Sequence, residues 1–288
     1  MPPTHPHPLA GVYAATVTPL TSEDTPDLQT IPALLEFLAG RGAHGALILG
    51  TTGEGPSFSP AERAAIFRAA AQVRAVYPDF RLLAGTGTPS WTESADLSRA
   101  AFEAGFEGVV VLPPFYFRNA PAEGLFRWFA RLIRAAVPPG KYLLGYHIPQ
   151  VSGVGLSLDL LARLKEAFPR RFAGLKDSSG DPQHARALGE RFGESLLVLN
   201  GNDRLLSRAL HHRAGGCITA LANLHSPDAR RVWDSFQQGA PDAAAQTRLD
   251  AARAALDAHP PAAVYLKQRL HTEHGFPLWP VRPPLVSG

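Results

Sequence analysis

Short apolar runs alternate with longer stretches whose apolar residues recur at helical spacing, and the alternation repeats along most of the chain. The runs fall at 11–17, 43–50, 81–85, 107–112, 141–146, 172–176, 196–201 and 215–219. Helical patterns lie between them, such as 29–41 and the one opening at Ser59-Pro60-Ala61-Glu62. There a serine cap, a proline in the first turn and a glutamate three residues on form a capping box. Near-continuously apolar strands predict a parallel sheet covered by helices. Eight strand-helix units at fairly even spacing favour closure of that sheet into a (β/α)8 TIM barrel of the α/β class.

From Ser226 the alternation stops, and 243–258 and 261–274 read as extra C-terminal helices. The expected organisation is a barrel catalytic domain over 1–225 and a helical extension over 226–288 packed on it. No low-complexity linker interrupts 10–225.

Composition narrows the function classes. The 288 residues are 45% hydrophobic and 18% charged, which is ordinary globular usage. The net charge is +3 and the pI about 9.2, but the arginines are scattered among acidic residues. The densest group, 163–171, is interrupted by Glu166 and apolar residues, so no nucleic acid partner is expected. A single cysteine, Cys217, excludes an internal disulfide and fits a reducing, cytoplasmic location. The N-terminal Met-Pro-Pro-Thr-His-Pro-His-Pro lacks a leader pattern, and no run reaches the roughly 18 apolar residues of a spanning helix, so no membrane partner is expected.

In this architecture reacting groups sit where strands end at the C-terminal rim. Only four of the 28 basic residues are lysines, namely Lys141, Lys165, Lys176 and Lys267, and only Lys176 ends an apolar run there. Arginine supplies generic charge but cannot form an imine, so a retained lysine at this rim points to amine chemistry. A lysine amine becomes nucleophilic at neutral pH once its surroundings favour the uncharged form, which the floor of a barrel mouth can do. Position and usage alone also admit a strand-end lysine turned to solvent.

Tyr146 lies one unit earlier, 30 residues before Lys176, so adjacent strands bring both side chains to one mouth. Its hydroxyl can shuttle the protons of imine chemistry or simply pack. The loop Gly50-Thr51-Thr52-Gly53-Glu54-Gly55 combines hydroxyls, amides and glycines, which suits a carboxylate held by several donors or a plain βα turn. It matches neither a phosphate loop nor the dinucleotide fingerprint, which argues against a nicotinamide oxidoreductase. The pairs His211-His212 and His271 with His274 lack carboxylates at metal spacing, and His147 is expected to face away from Tyr146, so no metal is predicted.

With Gly50-Thr51-Thr52-Gly53-Glu54, Tyr146-His147-Ile148-Pro149, Gly174-Leu175-Lys176-Asp177 and the Asn200-Gly201-Asn202-Asp203 turn in view, residues 10–225 resemble the dihydrodipicolinate synthase and N-acetylneuraminate lyase family. The resemblance implies a Schiff-base lysine at Lys176 and a proton-relay tyrosine at Tyr146. It also implies a 2-keto acid carboxylate held by Thr51, Thr52 and the adjoining Gly53, with Ile218 covering it. It further implies no metal and no organic cofactor, and a homotetramer built as a dimer of dimers, in which a tyrosine can reach the neighbouring site.

The departures bear on substrate. The synthase branch carries an arginine two residues after the motif proline, where this chain has Val151 after Gln150. The stretch Pro114-Phe115-Tyr116-Phe117 replaces the paired tyrosines of the synthase relay, leaving Tyr116 or Phe117 at the neighbour-reaching position. The sialic acid branch places an acidic pair after the seventh strand; here Asp203 precedes Arg204, which is either a surface arginine or a partner for a distal carboxylate or phosphate. Gly53-Glu54-Gly55-Pro56-Ser57 looks closer to 2-keto-3-deoxy sugar acid aldolases, and Ser152-Gly153-Val154 is similar to the lyase branch.

The expected function is therefore a class I lyase acting reversibly on a 2-keto acid, pyruvate plus an aldehyde, with a 2-keto-3-deoxy sugar acid or a 4-hydroxy-2-oxo acid as substrate. Gly201, Asp203, Arg204 and Tyr116 are the expected contacts to its distal part. The alternatives are 4-hydroxy-tetrahydrodipicolinate synthase, a dehydratase using the same imine, and a non-catalytic binding barrel.

Overall fold

The computed structural model describes residues 5–287; the first four positions of the N-terminal segment read above for a leader lie outside them. Strands β1 (Gly11–Ala15), β2 (Gly45–Ile48), β3 (Arg81–Gly85), β4 (Gly108–Val111), β5 (Tyr142–His147), β6 (Phe172–Asp177), β7 (Leu197–Asn200) and β8 (Gly216–Thr219) pair in parallel and in sequence order. β8 returns to β1 and closes the barrel the sequence predicts. Tyr13, Leu47, Leu83, Val110, Leu144, Leu197 and Ile218 fill the interior, while their neighbours Ala14, Ala46, Leu82 and Val109 face the helices. Both faces are thus buried, which is why the strands read as apolar runs rather than alternating ones.

The helices are α1 (Thr30–Gly40), α2 (Pro60–Ala71), α3 (Trp91–Glu103), α4 (Ala122–Ala136), α5 (Pro149–Ser152), α6 (Leu158–Ala167), α7 (Pro182–Phe192), α8 (Leu206–His211), α9 (Ala222–Gln237), α10 (Ala243–Asp257) and α11 (Ala262–His274). The capping box is formed as expected: the Ser59 hydroxyl accepts from Glu62 N–H at 3.3 Å, and a Glu62 carboxylate oxygen accepts from Ser59 N–H at 2.8 Å. Helix α9 was not visible in the sequence pattern, yet it packs on β1 as the eighth barrel helix, and position 225 falls inside it. The reason is local. Pro227 reads as a helix breaker, and the face that α9 buries carries the polar Asn223, Ser226 and Ser235, so no continuous apolar stripe marks it. Beyond it, α10 packs on α9, and α11 on both.

One irregularity decides which way the sixth strand's side chains point. Pairing between β5 and β6 steps from Leu143↔Phe172 to Leu144↔Gly174, so Ala173 is an extra residue, a β-bulge. Phe172 faces the helices and Ala173 the interior; after the bulge Leu175 again faces the helices, and Lys176 comes opposite Tyr146. Gly174 permits the close approach this needs, because a Cβ there would meet the Leu197 carbonyl oxygen at 1.9 Å.

Candidate active site

Lys176 and Tyr146 occupy paired positions on adjacent strands, and both are almost fully buried. The Lys176 Nζ donates to the Tyr146 hydroxyl at 3.2 Å and lies 4.2 Å from the ring centroid. The Tyr146 hydroxyl also lies 3.2 Å from Thr51 Oγ1. Burial by itself would raise the Tyr146 pKa, but the charge of Lys176 and hydrogen bonds from Thr51, Lys176 and Ser178 outweigh it and hold the phenol below the ordinary tyrosine value. A phenol made more acidic beside an amine can exchange a proton with it, which is what an amine must do before it attacks a carbonyl.

These groups open into a cavity of about 340 Å³ at the C-terminal rim. Of the residues expected from the sequence, Thr51, Thr52, Tyr146, Lys176, Gly201 and Ile218 line it together. Gly53 sits beneath, its carbonyl accepting from Thr18 Oγ1 at 2.7 Å. Asp203 is buried behind the wall, where desolvation raises its pKa against the pull of Arg253. Arg204 points to Asp257 at 3.5 Å and is not among the lining residues. Tyr116 and Phe117 lie outside the cavity, 76% and 72% exposed and packed edge to face.

Other lining residues were not anticipated. Gln150, Ser178, Ser179 and Asn202 come from the same strand tails already singled out, and their nearness to Tyr146, Lys176 and Gly201 was the available signal. Arg253, Leu256 and Asp257 of α10, with Pro260 and Ala262 beyond it, close the far side. Nothing in the sequence pattern marks these; their place depends on how α10 docks.

The loop carrying Thr51 and Thr52 is held from below. Leu49 and Glu54, at its two ends, are both left-handed, with φ of 58° and 56°. The fully buried Glu54 carboxylate accepts from Lys267 Nζ of α11 at 2.6 Å and from the Arg282 backbone N–H at 2.8 Å. Lys267 also donates to the Pro280 carbonyl at 2.6 Å. Burial pulls the Lys267 pKa below its ordinary value despite the neighbouring carboxylate.

On the outer face, His147, Asp177 and His184 gather with ligand-type atoms within 4.8 Å of one another. The two imidazoles stack at 4.4 Å and 11°, which sets their in-plane nitrogen lone pairs side by side rather than converging, and His147 Nδ1 already accepts from Leu156 N–H at 2.9 Å. As expected, His147 faces away from Tyr146; its hydrogen bond from Leu156 and its stack on His184, which itself lies 3.3 Å from an Asp177 carboxylate oxygen, join β5, β6 and α7.

Comparisons with known proteins agree with this geometry. Residues 8–287 match the model of the dihydrodipicolinate synthetase family. An uncharacterized DapA-like lyase of Chloroflexus aurantiacus is 42% identical over 244 residues, covering 84% of this chain and 80% of that protein. A 4-hydroxy-tetrahydrodipicolinate synthase of Sorangium cellulosum is 33% identical over 233 residues, 81% of this chain and 75% of its own. Among solved structures, dihydrodipicolinate synthase from Agrobacterium tumefaciens superimposes with a TM-score of 0.85 at 31% identity, covering 96% of this chain and 93% of that one. A sialic acid aldolase of Ruminococcus gnavus, at 20% identity and a TM-score of 0.85, shares the fold.

Proposed function

The chain belongs to the dihydrodipicolinate synthetase family and is one of its class I pyruvate lyases, and from that premise we propose that it joins and cleaves pyruvate and the aldehyde half of a 2-keto-3-deoxy sugar acid or related 4-hydroxy-2-oxo acid. The observation that carries the reading is the contact of Lys176 Nζ with the Tyr146 hydroxyl at 3.2 Å, in one cavity with Thr51 and Thr52.

In the cleavage direction the uncharged Lys176 amine attacks the C2 ketone, and the carbinolamine loses water to give a protonated imine. Tyr146 supplies and removes the protons of both steps. The 2-keto acid carboxylate lies against the hydroxyls and amides of Thr51 and Thr52, with Ile218 over the carbon skeleton. A base removes the proton of the C4 hydroxyl and the C3–C4 bond breaks. Its electron pair moves into the iminium, giving an enamine, and the aldehyde leaves. Protonation at C3 and addition of water then release pyruvate and restore the amine. The imine itself is the electron sink, so the sequence of steps closes without a metal or organic cofactor.

Val151 bears on the synthase alternative. It is 60% exposed and apolar where that branch holds a carboxylate-gripping arginine, which favours sugar acid chemistry over lysine biosynthesis. The exposed pair Tyr116 and Phe117 fits an interface between copies, in keeping with a homotetramer, and one buried cysteine, Cys217, fits a cytoplasmic setting. No helix among the described residues is long and apolar enough to cross a membrane.

The test is incubation with pyruvate and borohydride followed by intact-mass measurement. A single reduced adduct is expected on the wild type and none on Lys176→Ala. A wild type that forms no adduct refutes the imine assignment. Product mass separates aldol cleavage from dehydration.

A further inference from the structure

We propose that the ion pair Arg253–Asp257 of α10 selects the aldehyde half of the substrate, and that it selects hydroxyl groups over a second carboxylate. The inference rests on the imine reading above and adds the chemistry of the other half of the cavity.

Both side chains line the cavity that holds Lys176 and Thr51, on the wall that the C-terminal helices supply. Arg253 Nε donates to an Asp257 carboxylate oxygen at 2.7 Å, and its Nη1 lies 3.4 Å from the buried Asp203. Arg204 lies 3.5 Å from the other oxygen of Asp257. Arg253, the guanidinium that lines the wall, therefore faces carboxylates already, and with Arg204 and Asp203 behind the wall two arginines meet two aspartates. Beyond Thr51, Thr52, Tyr146 and Lys176, the remaining polar side chains of the lining are uncharged: Gln150, Ser178, Ser179 and Asn202.

That balance decides the class of ligand. A substrate carboxylate drawn to Arg253 would come to rest beside Asp257, and the repulsion offsets the attraction at similar distance. A hydroxyl meets no such opposition. It can donate to Asp257 and accept from Arg253 at once, and its neighbours along a polyol chain can do the same with the serines and amides. The wall thus works by rejection as well as by contact: Asp257 keeps acidic aldehydes out while holding Arg253 in place for neutral, hydroxylated ones. The expectation that Arg204 grips a distal anion gives way to a different residue with a different preference.

The experiment measures kcat/KM for condensation of pyruvate with D-glyceraldehyde, which carries hydroxyls, and with succinic semialdehyde, which carries a carboxylate. The ratio cancels any loss that falls on both aldehydes alike, partial misfolding included. The wild type is expected to favour glyceraldehyde by about tenfold or more, and Asp257→Ala to move the ratio towards succinic semialdehyde by about tenfold, the size of effect expected from one polar partner. Asp257→Asn, which keeps the side-chain shape, is expected to move it the same way. A wild type that prefers succinic semialdehyde, or a ratio that shifts by less than about twofold in both variants, overturns the proposal. The pyruvate adduct is measured on the wild type alongside. An adduct with an unmoved ratio overturns this inference alone, whereas no adduct removes the imine reading and the inference together.

Discussion

Replacing Lys267 with methionine tests how the loop carrying Thr51 and Thr52 is held. The substitution fills nearly the same space but leaves the Glu54 carboxylate, whose side chain is 0% exposed, with no cation. Breaking a buried ion pair by removing one partner costs about 3–5 kcal/mol, because the remaining charge is stranded. Against a total stability of roughly 5–15 kcal/mol that is a large fraction. For a chain of this size it corresponds to a fall in Tm of about 10 °C, read by circular dichroism. The second partner supplies the control. Glu54→Gln combined with Lys267→Met removes both charges and is expected to recover more than half of the lost Tm, a coupling that independent sites would not show. The loop should also loosen: KM for pyruvate rises in Lys267→Met while the adduct at Lys176 still forms. A Tm within about 2 °C of wild type for the single variant would show that Glu54 and Lys267 are not a buried, mutually dependent pair, and the account of the loop would fall with it.

Three more outcomes follow from the same geometry. Tyr146→Phe keeps the ring over Lys176 but removes the hydroxyl, so kcat should fall by about 10²–10⁴ with a smaller change in KM; steady-state kinetics with an unchanged kcat would contradict the proton-relay role. Gly174→Ala drives a Cβ to 1.9 Å from the Leu197 carbonyl oxygen, so β6 must shift. Loss of both soluble yield and pyruvate adduct is expected, and a fully active Gly174→Ala protein would show that the strand has room to spare. Burial, helped by neighbouring positive charge, holds His7 and His44 down to about 4 from the ordinary 6.5. The unfolded chain therefore binds protons between about pH 6.5 and 4 that the folded chain does not, so stability rises with pH across that window and is lost as pH falls through it. Urea midpoints at pH 7 and pH 4.5 check this, and an equal or higher midpoint at pH 4.5 would reverse the sign.

The barrel was legible because its strands are buried on both faces, and such strands appear in the chain as apolar runs such as 43–50 and 107–112 whatever the helices do. Lys176, Tyr146 and Thr51 were legible for a related reason: the fold places strand tails at one rim, so position along the chain stands in for position in space. That substitution fails for α10. Arg253 and Asp257 look like any exposed i, i+4 helix pair, and only the docking of α10 turns them towards Lys176. It fails too for Lys267, which sits in an unremarkable helical pattern and meets its partner Glu54 213 residues away in sequence. Asp203 shows the converse: a residue of the right turn and the right type, withdrawn behind the wall by the turn's own conformation.

The extra residue at Ala173 sets a constraint on how this protein can change. Strand β6 is read two residues at a time, and the bulge shifts the frame once, three residues before the amine. If the same residues paired without a bulge, Leu175 would come opposite Tyr146 and Lys176 would turn among the helices. Deleting the one extra residue would instead straighten the strand and leave Lys176 opposite Tyr146. At its present length, the strand keeps its reactive face only as long as it keeps its irregularity.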